Sequence, residues 1–293
     1  MHARAVFAVA SRAGIARSRL STRETGETGP TSPVNIPSIR MTPSILNASY
    51  SLPLVALSFA VSMIGSLTAL SVAGAARRAD GSVNRFNIMT SGLALGGIAI
   101  WATHFIGMSA WSVDLRVGYQ LLTTLVSLVA AVSVSTLALG YVAAAPLKGR
   151  RLLLAGSVAG IGVAAMHYLG MASMTFGGLF DWNLPLVGLS IVIAMGAATA
   201  ALWLAFNTRQ RSHRIAASVV MAGAVCAMHY TGMAAATVVC TARDRLLPFD
   251  LLRPADMTPI VLEVSLSVIA VIALDQLLQR VLYADPAHVR PKR

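Results

Sequence analysis

Trp101-Ala-Thr-His104-Phe-Ile-Gly107-Met108, Ala165-Met166-His167-Tyr168-Leu-Gly170-Met171 and Ala227-Met228-His229-Tyr230-Thr-Gly232-Met233 are three versions of one string. Their histidines stand 63 and 62 residues apart. That spacing holds two membrane-crossing helices and two short loops, so each string lies near the end of a helical hairpin. Three hairpins in the same orientation bring the three histidines to one depth.

Working outward, seven apolar segments reach the roughly 20 residues that a helix needs to cross a bilayer: about 52–76, 88–111, 121–145, 152–176, 184–206, 215–240 and 260–282. They are apolar all round and far longer than barrel strands, which excludes a β-barrel. The expected fold is all-α: a seven-transmembrane helix bundle of three parallel helical-hairpin repeats plus a seventh helix. Composition agrees, with 56% hydrophobic and 12% charged residues and a mean hydropathy of +0.70. A soluble domain carries about 25% charged residues, and a chain this apolar does not remain disordered. The lipid bilayer is therefore the first partner. Net charge is +12, but the cations sit in short clusters between apolar runs rather than in one patch, which argues against nucleic acid. Cys226 and Cys240 are the only cysteines, too few for a disulfide framework.

Cations near span ends stay on the cytoplasmic side. Loops after the first, third and fifth spans hold Arg77, Arg78, Arg85, Lys148, Arg150, Arg151, Arg209, Arg211 and Arg214; the alternate loops hold Arg116, Arg243, Arg245 and Arg253. Nine against four, with Arg290, Lys292 and Arg293 in the tail, predicts the N-terminus outside and the C-terminus inside. Residues 1–40 carry six arginines, which export would have to carry across, so translation is expected to begin at Met41, with Thr42 to Ser51 a short uncharged tail. The chain then divides into an Arg-rich extension (1–47), a membrane domain (48–250), a seventh helix (251–283) and a short basic cytoplasmic tail (284–293).

At about 1.5 Å per residue, these spans put the histidines roughly 10 to 16 Å beneath the outer helix ends. A polar side chain at that depth faces the bundle interior and has a partner. Successive helical residues turn by about 100°, so the methionine four positions on shares the histidine's face. His104, Met108, His167, Met171, His229 and Met233 thus form a soft ligand set suited to Cu(I); zinc prefers thiolate or carboxylate companions. Haem, with its His/His and His/Met axial pairs, is the alternative. Met166, Met228 and Cys226 are further candidates. Glu263, near the outer start of the seventh helix, is a candidate partner for an imidazole. Gly107, Gly170 and Gly232, like Gly92 with Gly96 and Gly156 with Gly160, suit close helix contact. Trp101, Trp111, Trp182 and Tyr119 suit an interfacial aromatic belt. No phosphate-binding glycine loop, zinc-protease motif or activated nucleophile is present, so no catalytic residue is assigned and no enzyme activity is expected.

The strings Met166-His167-Tyr168 and Met228-His229-Tyr230-Thr231, with Thr103-His104-Phe105, resemble the MHYT domain family over about residues 48–250. The resemblance implies a multi-pass sensor of the bacterial cytoplasmic membrane that binds copper through the motif histidines and methionines near the outer face and perceives oxygen, CO or NO. By position it carries the ligand role to His104, Met108, His167, Met171, His229 and Met233. Thr103 stands where the other copies have methionine. Family members often continue into diguanylate cyclase, cyclic di-GMP phosphodiesterase or DNA-binding domains, so a short tail implies a separate membrane or cytoplasmic signalling partner. The same residues also suit a copper carrier or insertion partner, or a haem electron-transfer protein.

Overall fold

The computed structural model describes residues 44–77, 81–145, 148–208, 210–242, 246 and 248–282. Residues 1–43 of the extension, with the expected start at Met41, and the tail cations lie outside them.

Among the described residues, seven helices are long and apolar enough to cross a membrane: Leu52–Ala73, Arg85–Ala110, Leu121–Ala143, Gly149–Ala172, Leu184–Asn207, Arg211–Ala234 and a seventh that runs Pro254–Leu282. The first six close into a ring in chain order, the sixth packing on the first, and the seventh lies outside it against the second. The second helix is therefore covered on every side: its apolar window is 89% buried, against 22–44% for the other six. Over Leu93–Ala102 it widens into π-type turns, then returns to α-helix at Thr103, one residue before His104.

One hydrogen bond closes each hairpin at the same end. The backbone N–H of Ser51 donates to Ala110, that of Gln120 to Ser173 and that of Asn183 to Ala235, at 2.8, 2.9 and 2.8 Å. The repeated sequence is thus a repeated structure. Neighbouring hairpins meet through glycine. A Cβ on Gly92 or Gly156 would strike Thr136 or Thr199, and one on Gly96 or Gly160 the backbone at Ala131 or Met195, so these glycines do allow close helix contact as expected.

Two spans end earlier than predicted, at Ala172 and Ala234 rather than 176 and 240. The residues beyond them are strands. Antiparallel pairs join β1 (Ser44–Leu46) to β7 (Ala236–Cys240), β7 to β6 (Gly178–Trp182), β2 (Ser49–Tyr50) to β3 (Trp111–Ser112) and β4 (Val117–Tyr119) to β5 (Met174–Phe176). The apolar character that extended the predicted helices belongs to runs such as Thr237-Val-Val-Cys240, whose β-branched side chains suit a pleated surface. Residues 44–50, expected as a tail, supply two of the strands. The strands form a cap over the motif-bearing helix ends. Trp101, Trp111 and Tyr119 are accordingly buried rather than spread in an aromatic belt; Trp182 meets Tyr168 edge to face at 5.4 Å.

At the opposite end, arginines serve helix C-termini, where carbonyls lack partners. Arg77 Nη2 donates to the carbonyls of Val142 and Ala145 at 2.8 and 3.1 Å. Arg214 Nε donates to the carbonyl of Thr208 at 3.1 Å.

A third repeated contact pins each even helix to the next odd one. Ser190 Oγ donates to the Val187 carbonyl at 2.8 Å, so its bond to the Tyr168 hydroxyl, 2.7 Å long, has tyrosine as donor. Ser58 and Tyr230 repeat this arrangement at 3.0 Å. Phe105 lacks the hydroxyl, and Trp101 Nε1 donates to Ser127 Oγ instead, at 3.0 Å. Tyr168→Phe is expected to cost about 0.5–1 kcal/mol, measured as a shift of the unfolding midpoint in detergent. An unchanged midpoint would mean that Ser190 is equally well satisfied alone.

Candidate metal centre

The second, fourth and sixth helices each place one histidine five or six residues before the helix end. That is about 7–9 Å beneath it, shallower than the 10–16 Å expected, because strands replace the predicted last turns. The cap restores the cover, and His104, His167 and His229 are 2%, 0% and 2% exposed.

The rings converge. His104 Nδ1 lies 3.1 Å from His229 Nδ1 and 3.1 Å from His167 Nδ1. One ligand atom from each ring lies within 4.8 Å of the others, and the rings meet edge to face with centroids 4.8–5.2 Å apart. All three Nε2 atoms are buried without a hydrogen-bond partner.

A neutral imidazole carries one proton, and here neither position suits it. With mixed tautomers His104 Nδ1 shares a proton with one of its two neighbours, which leaves the third Nδ1 unsatisfied, and each Nε2 stays a buried donor or acceptor without a partner, at a cost of about 1–3 kcal/mol. A cation among the Nδ1 atoms removes the conflict. Three nitrogens about 2.0 Å from an ion stand about 3.5 Å apart, near the 3.1 Å of the two pairs that include His104 and inside the 4.8 Å that bounds all three. The donor set therefore fits a metal ion.

No carboxylate, lysine or arginine is buried among the described residues. The centre has no counter-charge, and the cost of dehydrating an ion rises steeply with its charge.

The other expected residues fall into two groups. Met108, Met171 and Met233 are buried one helical turn nearer the cap, and Met166 and Met228 are buried beside the histidines. Cys226 lies between the first and sixth helices against Ser58 and Tyr230, and Glu263 is exposed on the seventh helix. Neither belongs to the convergent group. For Glu263 the reason is phase: Val261 and Ser265 carry the buried face of that helix, and Glu263 turns away.

Sequence reasoning missed Ser58, Ser127 and Ser190 as partners of the motif aromatics. The 63-residue interval between Ser127 and Ser190 is the signal that would have found two of them.

Fold and site together define a multi-pass membrane domain in which three equivalent hairpins build one buried imidazole centre. Residues 97–156 and 160–218 match the family described as MHYT, bacterial signalling protein N terminal repeat. These two segments therefore carry the repeat of that family. The copy around His229 lies beyond the matched residues, and its equivalence rests on the motif and on the geometry above. The bifunctional diguanylate cyclase/cyclic di-GMP phosphodiesterase MucR of Pseudomonas aeruginosa is 44% identical over 65% of this chain and 28% of its own length. The cyclic di-GMP phosphodiesterase NbdA of the same organism is 39% identical over 64% and 25%. The signaling protein YkoW of Bacillus subtilis is 28% identical over 66% and 25%. The chain thus spans about a quarter of the length of the curated relatives it matches. No solved structure matches it.

Proposed function

We propose that this chain is a copper-binding sensor domain of the bacterial cytoplasmic membrane, in which His104, His167 and His229 hold one Cu(I) ion through Nδ1. The observation that carries this reading is the convergence of three buried imidazoles in a centre without counter-charge. A soft, monovalent ion suits both features: neutral nitrogen and sulfur donors favour it, and its single charge is the least costly to bury. Met108, Met171 and Met233 lie close enough in sequence and burial to add a thioether. Haem is disfavoured because nitrogens 3.1 Å apart leave no gap for a macrocycle.

When bound, a cuprous ion supplies a one-electron redox couple and affinity for diatomic ligands such as oxygen, CO or NO. The protein's part is to hold the imidazoles, exclude water beneath the strand cap and transmit a change. Ligand binding shifts the bundle only by its differential affinity for two arrangements. The seventh helix, packed on the motif-bearing end of the second, is the element placed to read that change. The names of the relatives point to cyclic di-GMP turnover as the output, delivered through further domains or a partner. The cation count supports an outside N-terminus, an inside C-terminus and a centre near the periplasmic face.

Protein purified in detergent under reducing, copper-supplemented conditions is expected to hold one copper per chain and to show no Soret band after haem supplementation. Copper-free protein sinks the proposal. Met171→Leu keeps the volume and removes the sulfur; a loss of about 10-fold in Cu(I) affinity assigns the thioether a ligand role, and unchanged affinity leaves the three imidazoles as the whole donor set.

A further inference from the structure

The motif glycines do more than admit a neighbouring helix. A Cβ on Gly170 would lie closer than 3.0 Å to His104 Nε2, one on Gly232 to His167 Nε2 and one on Gly107 to His229 Nε2. Real Cβ atoms essentially never come that close. Each imidazole is therefore seated on the glycine of the next repeat, and the last repeat seats on the first. The order is cyclic, 104 to 170, 167 to 232, 229 to 107.

The rings cannot retreat. On the other side His104 Nδ1 already meets two nitrogens at 3.1 Å, and the rings are fully enclosed. A methyl group in the seat would have to turn the ring away from the centre. The seats also explain the orphaned Nε2 atoms: each faces a glycine rather than an acceptor, and the other ring nitrogen faces inward.

We propose that Gly107, Gly170 and Gly232 are positioning residues, each seating the imidazole of another repeat and so fixing Nδ1 as the atom turned to the centre. The role in metal binding rests on the copper reading above; the seating order does not. It makes the three motifs one interlocked unit, in which damage to any seat disturbs a histidine 65 or 66 residues earlier or 122 residues later.

The decisive experiment is a set of unfolding measurements on metal-free full chain in detergent. Gly170→Ala is expected to lower the unfolding midpoint, and adding His104→Ala, which empties the seat, should recover at least half of the loss. His104→Ala should give no recovery to Gly232→Ala, whose partner is His167. If Gly170→Ala fails to fold, folding of the His104→Ala/Gly170→Ala pair is itself the recovery. Recovery by the wrong histidine, or by none, overturns the seating. As controls, Gly188→Ala and Gly223→Ala, helix-interior positions where a Cβ meets nothing within 4 Å, should keep or slightly raise the midpoint. In nitrogen-15 spectra of wild-type protein loaded with Cu(I), the three Nδ1 signals should shift while Nε2 keeps its proton. Coordination through Nε2 overturns the assignment. In Gly170→Ala, Cu(I) affinity should fall about 100-fold; retention within threefold counts against the positioning role. A wild type that binds no copper sinks the copper reading and leaves the metal-free test intact.

Discussion

His167→Ala is expected to bring the copper content from one ion per chain to less than about a tenth. The ring it removes is wholly enclosed and lies 3.1 Å from His104. The two nitrogens left behind, His104 and His229 Nδ1, are also 3.1 Å apart. Two donors on opposite sides of one ion at about 2.0 Å must stand about 4 Å apart, so the remaining pair does not form a linear site without moving its helices. Stability should respond differently. The mutation leaves a cavity, which costs, but it also removes a buried ring whose Nε2 has no partner, which offsets part of that cost. A large loss of copper with a modest shift of the metal-free unfolding midpoint is the expected signature. Elemental analysis beside detergent unfolding checks it, and full copper occupancy in the variant would refute the three-imidazole site. Glu263→Gln, altering an exposed side chain outside the centre, should leave copper content unchanged.

The second large effect is expected at a residue that touches no metal. Gly160→Leu should destabilise the protein by about 3 kcal/mol or more, because a Cβ at Gly160 would already overlap the Met195 backbone. A flexible side chain can give way to a methyl group, whereas the backbone of the fifth helix moves only if the whole helix moves. One turn earlier Gly156 meets Thr199 in the same way, so the fourth and fifth helices are held by a pair of such approaches. Their separation would drag His167 from its place, and copper content should fall together with stability. Gly223→Leu, on a helix face with nothing within 4 Å of the added Cβ, serves as the matched control. Equal midpoints for the two variants would rule out close backbone approach as the force that joins the hairpins.

Much of this architecture was legible in residue order because the bilayer allows so few solutions. Long apolar runs such as Leu121–Ala143 have only the helix in which to satisfy their backbone. The strand cap was not legible: Thr237-Val-Val reads as the continuation of an apolar helix until pairing partners are known, and its partner β1 lies almost two hundred residues away. Trp101 misled for a related reason. A tryptophan near a span end suits the membrane interface, yet the packing of the third helix turns its indole inward to Ser127.

Sequence by itself determined the span number, the threefold repeat and the histidines as the residues to watch, since each depends on local hydropathy and on spacing along the chain. Tertiary structure alone decided that the three imidazoles meet, that Nδ1 faces inward, that Glu263 and Cys226 stand apart and that each glycine serves a histidine of another repeat. Those facts depend on distances between residues some sixty or more positions apart. Helical periodicity gives a side chain its direction around its own axis, and only the packing of one helix on another fixes what lies in that direction.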